Sequence, residues 1–138
     1  NHPVNSLFFG FCSSTTNPAS DRFTFTNADM YLNGTSLFEN MSPIYFHTVQ
    51  NYYKSNYGRT HFNTPTHSPT FTRYFAYHFC MNASEYNPSG SCNFSRLDNA
   101  KLVLRGGEAV DRSYMYVYAV NYNVLRIKDG LAGILFGN

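Results

Sequence analysis

Five histidines are the residues of this chain best suited to bind a metal ion or to move a proton. They are His2, His47, His61, His67 and His78. None of them forms a His-x-His or His-x3-His pair, and no carboxylate lies beside them at the spacing that metal ligands use. The spacing therefore predicts no metal site and no bound cofactor.

Paired carboxylates could hydrolyse a glycosidic bond, because that reaction needs two carboxyl groups that face each other across the bond. The available carboxylates are Glu39, Glu85, Glu108, Asp21, Asp29, Asp98, Asp111 and Asp129. Most of them lie in turn-like sequence, where Asp side chains accept hydrogen bonds from the backbone. Cys92 and His78 could form a nucleophile and its base, but a free cysteine in an apolar strand is usually an inert core residue. We therefore predict that the chain is not an enzyme and has no catalytic residues.

Charged residues are sparse, at 13% of the chain, and the net charge is only +2. The basic residues form no run that could follow a phosphate backbone. Aromatic residues alternate with Arg59, Arg73, Arg96 and Arg126, which could stack single-stranded nucleic acid, but the density of basic residues is too low to predict it. No apolar stretch approaches the roughly 18 to 20 residues that cross a bilayer. Neither direct nucleic-acid binding nor a membrane span is predicted.

The cysteines and the glycosylation tripeptides give weaker signals. Cys12, Cys80 and Cys92 make an odd number with long separations, which favours neither a disulfide framework nor a CxxC metal pair and is typical of a reducing compartment. Tripeptides of the Asn-x-Ser/Thr type begin at Asn33, Asn40, Asn82 and Asn93. Such matches arise often by chance in a chain rich in Asn and Ser, and we expect them to be unmodified in a protein that is not secreted.

The aromatic content indicates which elements position these residues. Phe (13) and Tyr (12) dominate, Trp is absent, and Thr, Ser and Asn fill the intervening positions. This mixture is typical of pleated, half-buried surfaces, so we predict a mostly β fold. A folded chain with so few surface charges also suits a permanent protein interface better than a free monomer.

Apolar segments bounded by turn residues predict the strands. They cover residues 4–12, 29–38, 71–81, 92–95, 100–105 and 114–127. Asn33-Gly34 predicts a hairpin or bulge within the second segment. Residues 45–53 fit the one-sided spacing of a helix about as well as a strand, and we predict a short helix there. The order of the segments favours an antiparallel sandwich over a parallel α/β fold.

Residues 114–127 have the strongest alternation in the chain. Tyr114, Tyr116, Tyr118, Val120, Tyr122 and Val124 fall on one face of the predicted strand. We expect this face to be sealed inside the sandwich, and we expect Gly106-Gly107 to close a hairpin between this strand and the preceding one. The polar stretches 13–20 and 56–70 are predicted to be loops that contact neighbouring subunits or the exterior.

Three stretches resemble, in order, the C-terminal jelly roll of major capsid proteins from nucleo-cytoplasmic large DNA viruses. They are NHPV at residues 1–4, PSGSCNFSRLDNA at residues 88–100 and YAVNYNVLRI at residues 118–127. With Asn33-Gly34 and YFHTVQ at residues 45–50, the similarity covers most of the chain. The sequence departs from the family after Ile127, where a Met- and Gly-rich tail is common and this chain has KDGLAGILFGN.

The resemblance implies an all-β antiparallel jelly-roll sandwich in which residues 1–138 supply the later strands of the second jelly roll of a double jelly-roll protein. This domain is expected to be incomplete at its N-terminal side, since the chain opens on Asn1 and not on Met. The implied function is structural: trimers form pseudo-hexameric capsomers that tile an icosahedral shell. The implied partners are further copies, neighbouring capsomers and minor capsid proteins, in a virion assembled in the host cytoplasm. A glycan-binding jelly-roll module, with exposed Tyr and Asn contacting sugars, is the alternative.

Overall fold

The computed structural model describes residues 2–13, 25–56, 74–107 and 113–137. Within them, nine β-strands follow one another along the chain. They are β1 (Pro3–Ser13), β2 (Phe25–Leu32), β3 (Thr35–Met41), β4 (Tyr74–His78), β5 (Cys92–Asn93), β6 (Ala100–Gly107), β7 (Ser113–Asn121), β8 (Leu125–Lys128) and β9 (Leu131–Ile134). A π-helix (Tyr45–Val49) continues into an α-helix, α1 (Gln50–Lys54), and we call residues 45–54 the helical cap.

The first sheet is built around β1. This strand pairs antiparallel with β4 and β5 along one edge and with β7 along the other. The second sheet has the order β3-β2-β6, also antiparallel, and β8 and β9 form a separate two-stranded hairpin. The predicted all-β antiparallel architecture is confirmed.

The hairpin between β2 and β3 shows how local sequence determines the pairing. Asn33 and Gly34 have φ values of 50° and 81°, the left-handed pair that a two-residue hairpin turn requires and that Asn-Gly supplies at low cost. Further along, Asp29 lies opposite both Glu39 and Asn40, which makes a β-bulge. The Asp29 carboxylate accepts the N–H of Asn40 at 2.8 Å and so provides that backbone group with a partner.

The core lies between the two sheets and consists mainly of Phe side chains. Its buried members are Val4, Leu7, Phe9, Phe25, Ala28, Met30, Phe38, Phe46 and Phe75. Phe9 and Phe75 come from the first sheet, and Phe25 from the second packs against both, with ring centroids 6.1 and 4.9 Å away. Because each aromatic ring removes a large apolar area from water, these contacts are the main attraction between the sheets.

The helical cap closes the side of the sandwich formed by β3 and β4. Phe46 is fully buried, and its ring lies 5.4 Å from Phe9 and 5.2 Å from Phe38. Phe38 on β3 also meets Tyr77 on β4 at 5.0 Å, so the two edge strands touch beneath the cap. The predicted short helix is confirmed, and its function in the fold is to seal one side of the core.

Three predictions about strands need correction. Gly106-Gly107 does not close a hairpin, because β6 pairs with β2 in one sheet and β7 pairs with β1 in the other. The predicted strand 114–127 ends at Asn121 and a new strand begins at Leu125. The predicted strand 92–95 has only two strand residues, because the Asn93 side chain accepts the N–H of Ser95 at 3.1 Å and begins a 3-10 helix at Phe94–Arg96. Residues 14–20 and 57–70 of the predicted loops lie outside the described residues.

Candidate assembly surface

His78 on β4 is buried and lies at the centre of a polar network that joins β1 to the helical cap. Its side chain is 1% exposed, with Nδ1 2.8 Å from Ser6 Oγ and Nε2 3.2 Å from Asn51 Oδ1. An amide oxygen can only accept, so Nε2 donates to Asn51 Oδ1. Nδ1 faces the Ser6 hydroxyl, which donates to Asn5 Oδ1. Burial, with a smaller contribution from Lys54, lowers the pKa of His78 to about 4. The ring is therefore neutral at pH 7.

This Ser-His-Asn connectivity is the order of groups that a hydrolase uses, but here all three side chains are buried. Ser6 is only 1% exposed, so no substrate reaches its hydroxyl. The network instead fastens the helical cap to the first sheet: Gln50 Oε1 accepts the N–H of His78 at 3.1 Å, and Lys54 Nζ donates to the His78 carbonyl oxygen at 2.8 Å. Both backbone groups belong to the outer edge of β4, which the cap covers.

Cys92 and His78 were considered from the sequence as a nucleophile and its base and were set aside, and the structure does not pair them. Both ring nitrogens of His78 face other partners, and burial raises the pKa of the Cys92 thiol, which disfavours the reactive thiolate. Among the described residues, no group of three or more His, Cys, Asp or Glu side chains could hold a metal ion. His61 and His67 lie outside those residues.

Asp29 is a structural acceptor. The hydrogen bond from the Asn40 N–H, with further help from Arg105, lowers the pKa of its carboxyl group, and Arg105 also forms an ion pair with it. The pair joins β2 to β6. Of the other carboxylates considered for hydrolysis, Asp21, Glu108 and Asp111 lie outside the described residues.

The asparagines of the glycosylation tripeptides also have structural roles. Asn33 Oδ1 accepts the N–H groups of Asp98 and Asn99, at 2.9 and 3.2 Å, and Asn82 Oδ1 accepts that of Ser84 at 3.0 Å. These side chains complete turns, as Asn commonly does. The expectation that they are unmodified stays a prediction.

Strand β7 exposes both of its faces. Tyr118 on the outer face is 64% exposed and Val117 on the inner face is 49% exposed. Tyr116 and Tyr118 stack on each other with centroids 6.3 Å apart, and neither is sealed inside the sandwich. The prediction that the alternating tyrosine face is buried is therefore wrong for this chain by itself, since periodicity identifies a strand but not what covers it.

An apolar cavity opens between β6 and β7, and we call this the open side of the sandwich. Its volume is about 130 Å³. It is lined by Leu7, Phe9, Met30, Phe38, Tyr77, Phe94, Ala100, Leu102 and Val117. Because Leu102 of β6 and Val117 of β7 line the same space, the two strands face each other across the cavity without closing it.

The hairpin of β8 and β9 adds a second exposed apolar surface. Every residue in both strands is exposed, including Leu125, Ile127, Leu131 and Ile134. At its base, Asn123 donates to the Phe136 carbonyl oxygen at 2.8 Å and accepts the Phe136 N–H at 3.1 Å. A two-stranded hairpin is only marginally stable in water, so these two hydrogen bonds help to hold it in place. Its exposed apolar residues are suited to a protein contact. In the described part of the chain, no helix is both long and apolar enough to cross a membrane.

Neither the His78 network nor the open side was predicted from the sequence. Asn5 and Ser6 in an otherwise apolar strand were a usable signal, because polar side chains within a buried strand need partners. The open side has no comparable signal, since it depends on which strands face each other.

Comparisons with known proteins agree on one family. Residues 1–133 match the family model described as large eukaryotic DNA virus major capsid protein. The chain is 32% identical to the major capsid protein of Pyramimonas orientalis virus, covering 100% of this chain and 37% of that protein. It is 38% identical to the major capsid protein of Phaeocystis pouchetii virus, covering 80% of this chain and 20% of that protein. It therefore spans well under half the length of these relatives.

The fold comparison leads to the same family. The whole chain superposes on 44% of a chain from a quasi-atomic model of the PBCV-1 virus capsid, with a TM-score of 0.72 and 26% sequence identity. The similar chain is a double jelly-roll protein, which identifies the antiparallel sandwich seen here as jelly-roll in type. The suspected resemblance is confirmed, and no support is found for the glycan-binding alternative. The chain belongs to the family of large eukaryotic DNA virus major capsid proteins.

Proposed function

We propose that this chain is the C-terminal jelly-roll portion of a shell subunit that assembles as pseudo-hexameric trimers into an icosahedral capsid. The observation that carries the proposal is the superposition of the whole chain on part of a virus capsid protein, with a TM-score of 0.72. Residues 1–138 would form one domain, and further strands from the same capsid protein would complete it on its N-terminal side.

The surface supports an assembly function. Tyr118, Ile127 and Leu131 are 64%, 71% and 78% exposed, and only 13% of the residues in the chain are charged. Large apolar side chains this exposed suit a protein contact, and the scarcity of charge lowers the repulsion between copies. The partners would be other copies of the subunit, neighbouring capsomers and minor capsid proteins.

The role would be structural and not enzymatic. Neither candidate nucleophile is in a reactive setting, because Ser6 is buried in the His78 network and the Cys92 thiol has a raised pKa. The location would be the capsid of the virion, with assembly in the host cytoplasm.

A chimera tests the proposal. In it, this chain replaces the region that it matches in the Pyramimonas orientalis virus major capsid protein. Native mass spectrometry should give the chimera the mass of three copies. The unaltered relative is the matched control and should also give the mass of three copies. A chimera that has the β-sheet circular dichroism of the control but the mass of one copy would contradict the proposal.

A further inference from the structure

Three hydrogen bonds join the helical cap to a single residue of the first sheet, His78. Asn51 Oδ1 lies 3.2 Å from the ring atom Nε2, and Gln50 Oε1 accepts the backbone N–H at 3.1 Å. Lys54 Nζ donates to the carbonyl oxygen at 2.8 Å. On its other side the ring faces Ser6 of β1, with Nδ1 2.8 Å from the hydroxyl oxygen. The state of this one ring therefore affects how the whole cap is attached.

The described groups around this ring include one cation and no carboxylate. The cation is Lys54 of the cap. From β1 come the Ser6 hydroxyl and, behind it, the amide of Asn5. Two titratable groups meet that amide: Cys80 donates to Asn5 Oδ1 at 3.3 Å, and the Tyr122 hydroxyl accepts from Asn5 Nδ2 at 2.6 Å. An alcohol, an amide, a thiol and a phenol supply no negative charge to offset a protonated ring.

A second proton on the ring is unfavourable because of its charge and not for lack of hydrogen-bond partners. Nε2 already donates to the Asn51 amide oxygen, and the Ser6 hydroxyl oxygen can accept from a protonated Nδ1. The ring is only 1% exposed, however, and a buried charge without a counter-ion is costly. Burial, with a smaller contribution from the Lys54 ammonium, lowers the pKa of His78 to about 4. Since removal of the cap would take Lys54 away and let water reach the ring, the proton and the cap compete for His78.

The helical cap is a small element that can open without the sheets. It has five residues of π-helix and five of α-helix, and neither helix has a side-chain hydrogen bond at its N-cap. Helices this short are marginal in water by themselves. Opening must also withdraw Phe46 from the core and break the bond from the Ala83 N–H to the Lys54 carbonyl oxygen. The strand pairs of the two sheets do not involve the cap, so its opening should cost less than global unfolding.

We propose that protonation of His78 releases the helical cap from the first sheet and uncovers the outer edge of β4, while the strands of both sheets stay paired. The uncovered edge presents backbone donors and acceptors that another strand can bind. The inference goes beyond the proposed function and does not depend on it, because every contact that carries it lies within these 138 residues.

Hydrogen exchange of the 138-residue chain at pH 7 and pH 5 tests the inference. The quantity compared is the protection factor, the exchange rate of an unstructured peptide divided by that of the chain at the same pH. Amides of α1 (Gln50–Lys54) should lose protection at least tenfold, because each pH unit between 6.5 and about 4 favours the protonated, open state by about tenfold. At pH 5, β2 (Phe25–Leu32) should remain at least tenfold better protected than α1.

Two results would overturn the inference. Equal protection of α1 at the two pH values would show that the cap stays attached when acid is added. Equal protection of α1 and β2 at pH 5 would show that the cap opens only when the whole chain unfolds.

Three variants assign the effect to the ring and to its charged neighbour. His78→Gln lacks the titrating ring, so the protection of α1 should differ by less than twofold between pH 7 and pH 5. Lys54→Gln removes the ammonium but keeps a donor for the His78 carbonyl oxygen, so the loss of protection should be smaller than in the unaltered chain. Lys128→Gln, at an exposed position of β8, is the matched control and should show the full loss.

These variants keep the test decisive even where one of them does not fold. A folded His78→Gln chain that loses as much protection as the unaltered chain would overturn the inference. The same conclusion would follow from equal losses in Lys54→Gln and Lys128→Gln, since only Lys54 lies beside the ring.

Discussion

The two sides of this sandwich are built from similar aromatic strands, yet one side is closed and the other is open. At the closed side, the helical cap inserts Phe46 between the sheets and occupies the edge of β4 through Gln50 and Lys54. At the open side, Val117 occupies the inner face of β7 next to Phe9, but it is 49% exposed beside an unfilled cavity. The difference shows that an apolar strand pattern does not by itself make a core, since each face also needs an element that covers it.

The largest expected effect is at the closed side. Phe46→Ala should lower the free energy of unfolding of the 138-residue chain by about 3–5 kcal/mol, because it removes a fully buried ring. Val117→Ala should cost less than about 1 kcal/mol, because roughly half of that side chain is already in water. Urea denaturation followed by circular dichroism measures both, and equal losses would contradict the distinction between the two sides.

The next effect is a dependence of stability on pH through His78. Its pKa is about 4 in the folded chain against 6.5 in the unfolded chain, so between these values the unfolded state binds a proton that the native state does not. Stability should therefore be highest above pH 6.5 and should fall by about 3 kcal/mol as the pH is lowered to about 4, at about 1.4 kcal/mol per pH unit.

Denaturation midpoints measured at several pH values check this dependence. The matched variant is His78→Gln, which lacks the titrating ring. Its free energy of unfolding should therefore depend less on pH between 6.5 and about 4 than that of the unaltered chain. Parallel profiles for the two proteins would exclude His78 as the source.

A backbone effect on β6 is expected to be smaller. Gly106 has a φ of 59°, and a Cβ there would overlap the hydroxyl oxygen of Thr26. Gly106→Ala should therefore cost about 1–2 kcal/mol, from the left-handed backbone together with the contact. Gly133→Ala is the control, since a Cβ at Gly133 meets nothing within 4 Å. Thermal unfolding of the two variants measures the contrast, and a Gly106→Ala variant as stable as the control would refute it.

The smallest effect is expected on the outer face of β7. Tyr118→Thr should change the stability of the 138-residue chain by less than about 0.5 kcal/mol, because Tyr118 is 64% exposed and Thr also favours strands. Thermal unfolding checks this as well. A loss above 2 kcal/mol would mean that the face is covered within the chain itself.

Local signals in the sequence predicted those elements that depend on local physics. Asn33-Gly34 determines a hairpin through its backbone preferences. The spacing of residues 45–53 fitted a helix about as well as a strand, and the structure forms the helix. The failed predictions depend on contacts distant in sequence. Gly106-Gly107 had the composition of a hairpin turn, but the assignment of β6 and β7 to different sheets is decided by their pairing with β2 and β1.

The sequence predicted that the chain has a surface for protein contacts, but it did not predict where that surface lies. Scarce charge and abundant Tyr indicated a protein interface, and the chain does expose Tyr116 and Tyr118. The alternation along β7 could not show that both of its faces would be exposed, since a buried strand and a strand awaiting a partner have the same period. The hydrogen-bond partners of His78 could not be predicted from the sequence either, because Ser6 and Asn51 lie 72 and 27 residues away along the chain.

Hydrogen exchange of the 138-residue chain without any partner tests most directly whether one side is closed and the other open. The account predicts slow exchange at β4, where the cap covers the edge, and exchange at least tenfold faster at the β7 amides that do not bond to β1. Exchange at β7 that is as slow as at β4, or equally fast exchange in both strands, would contradict it.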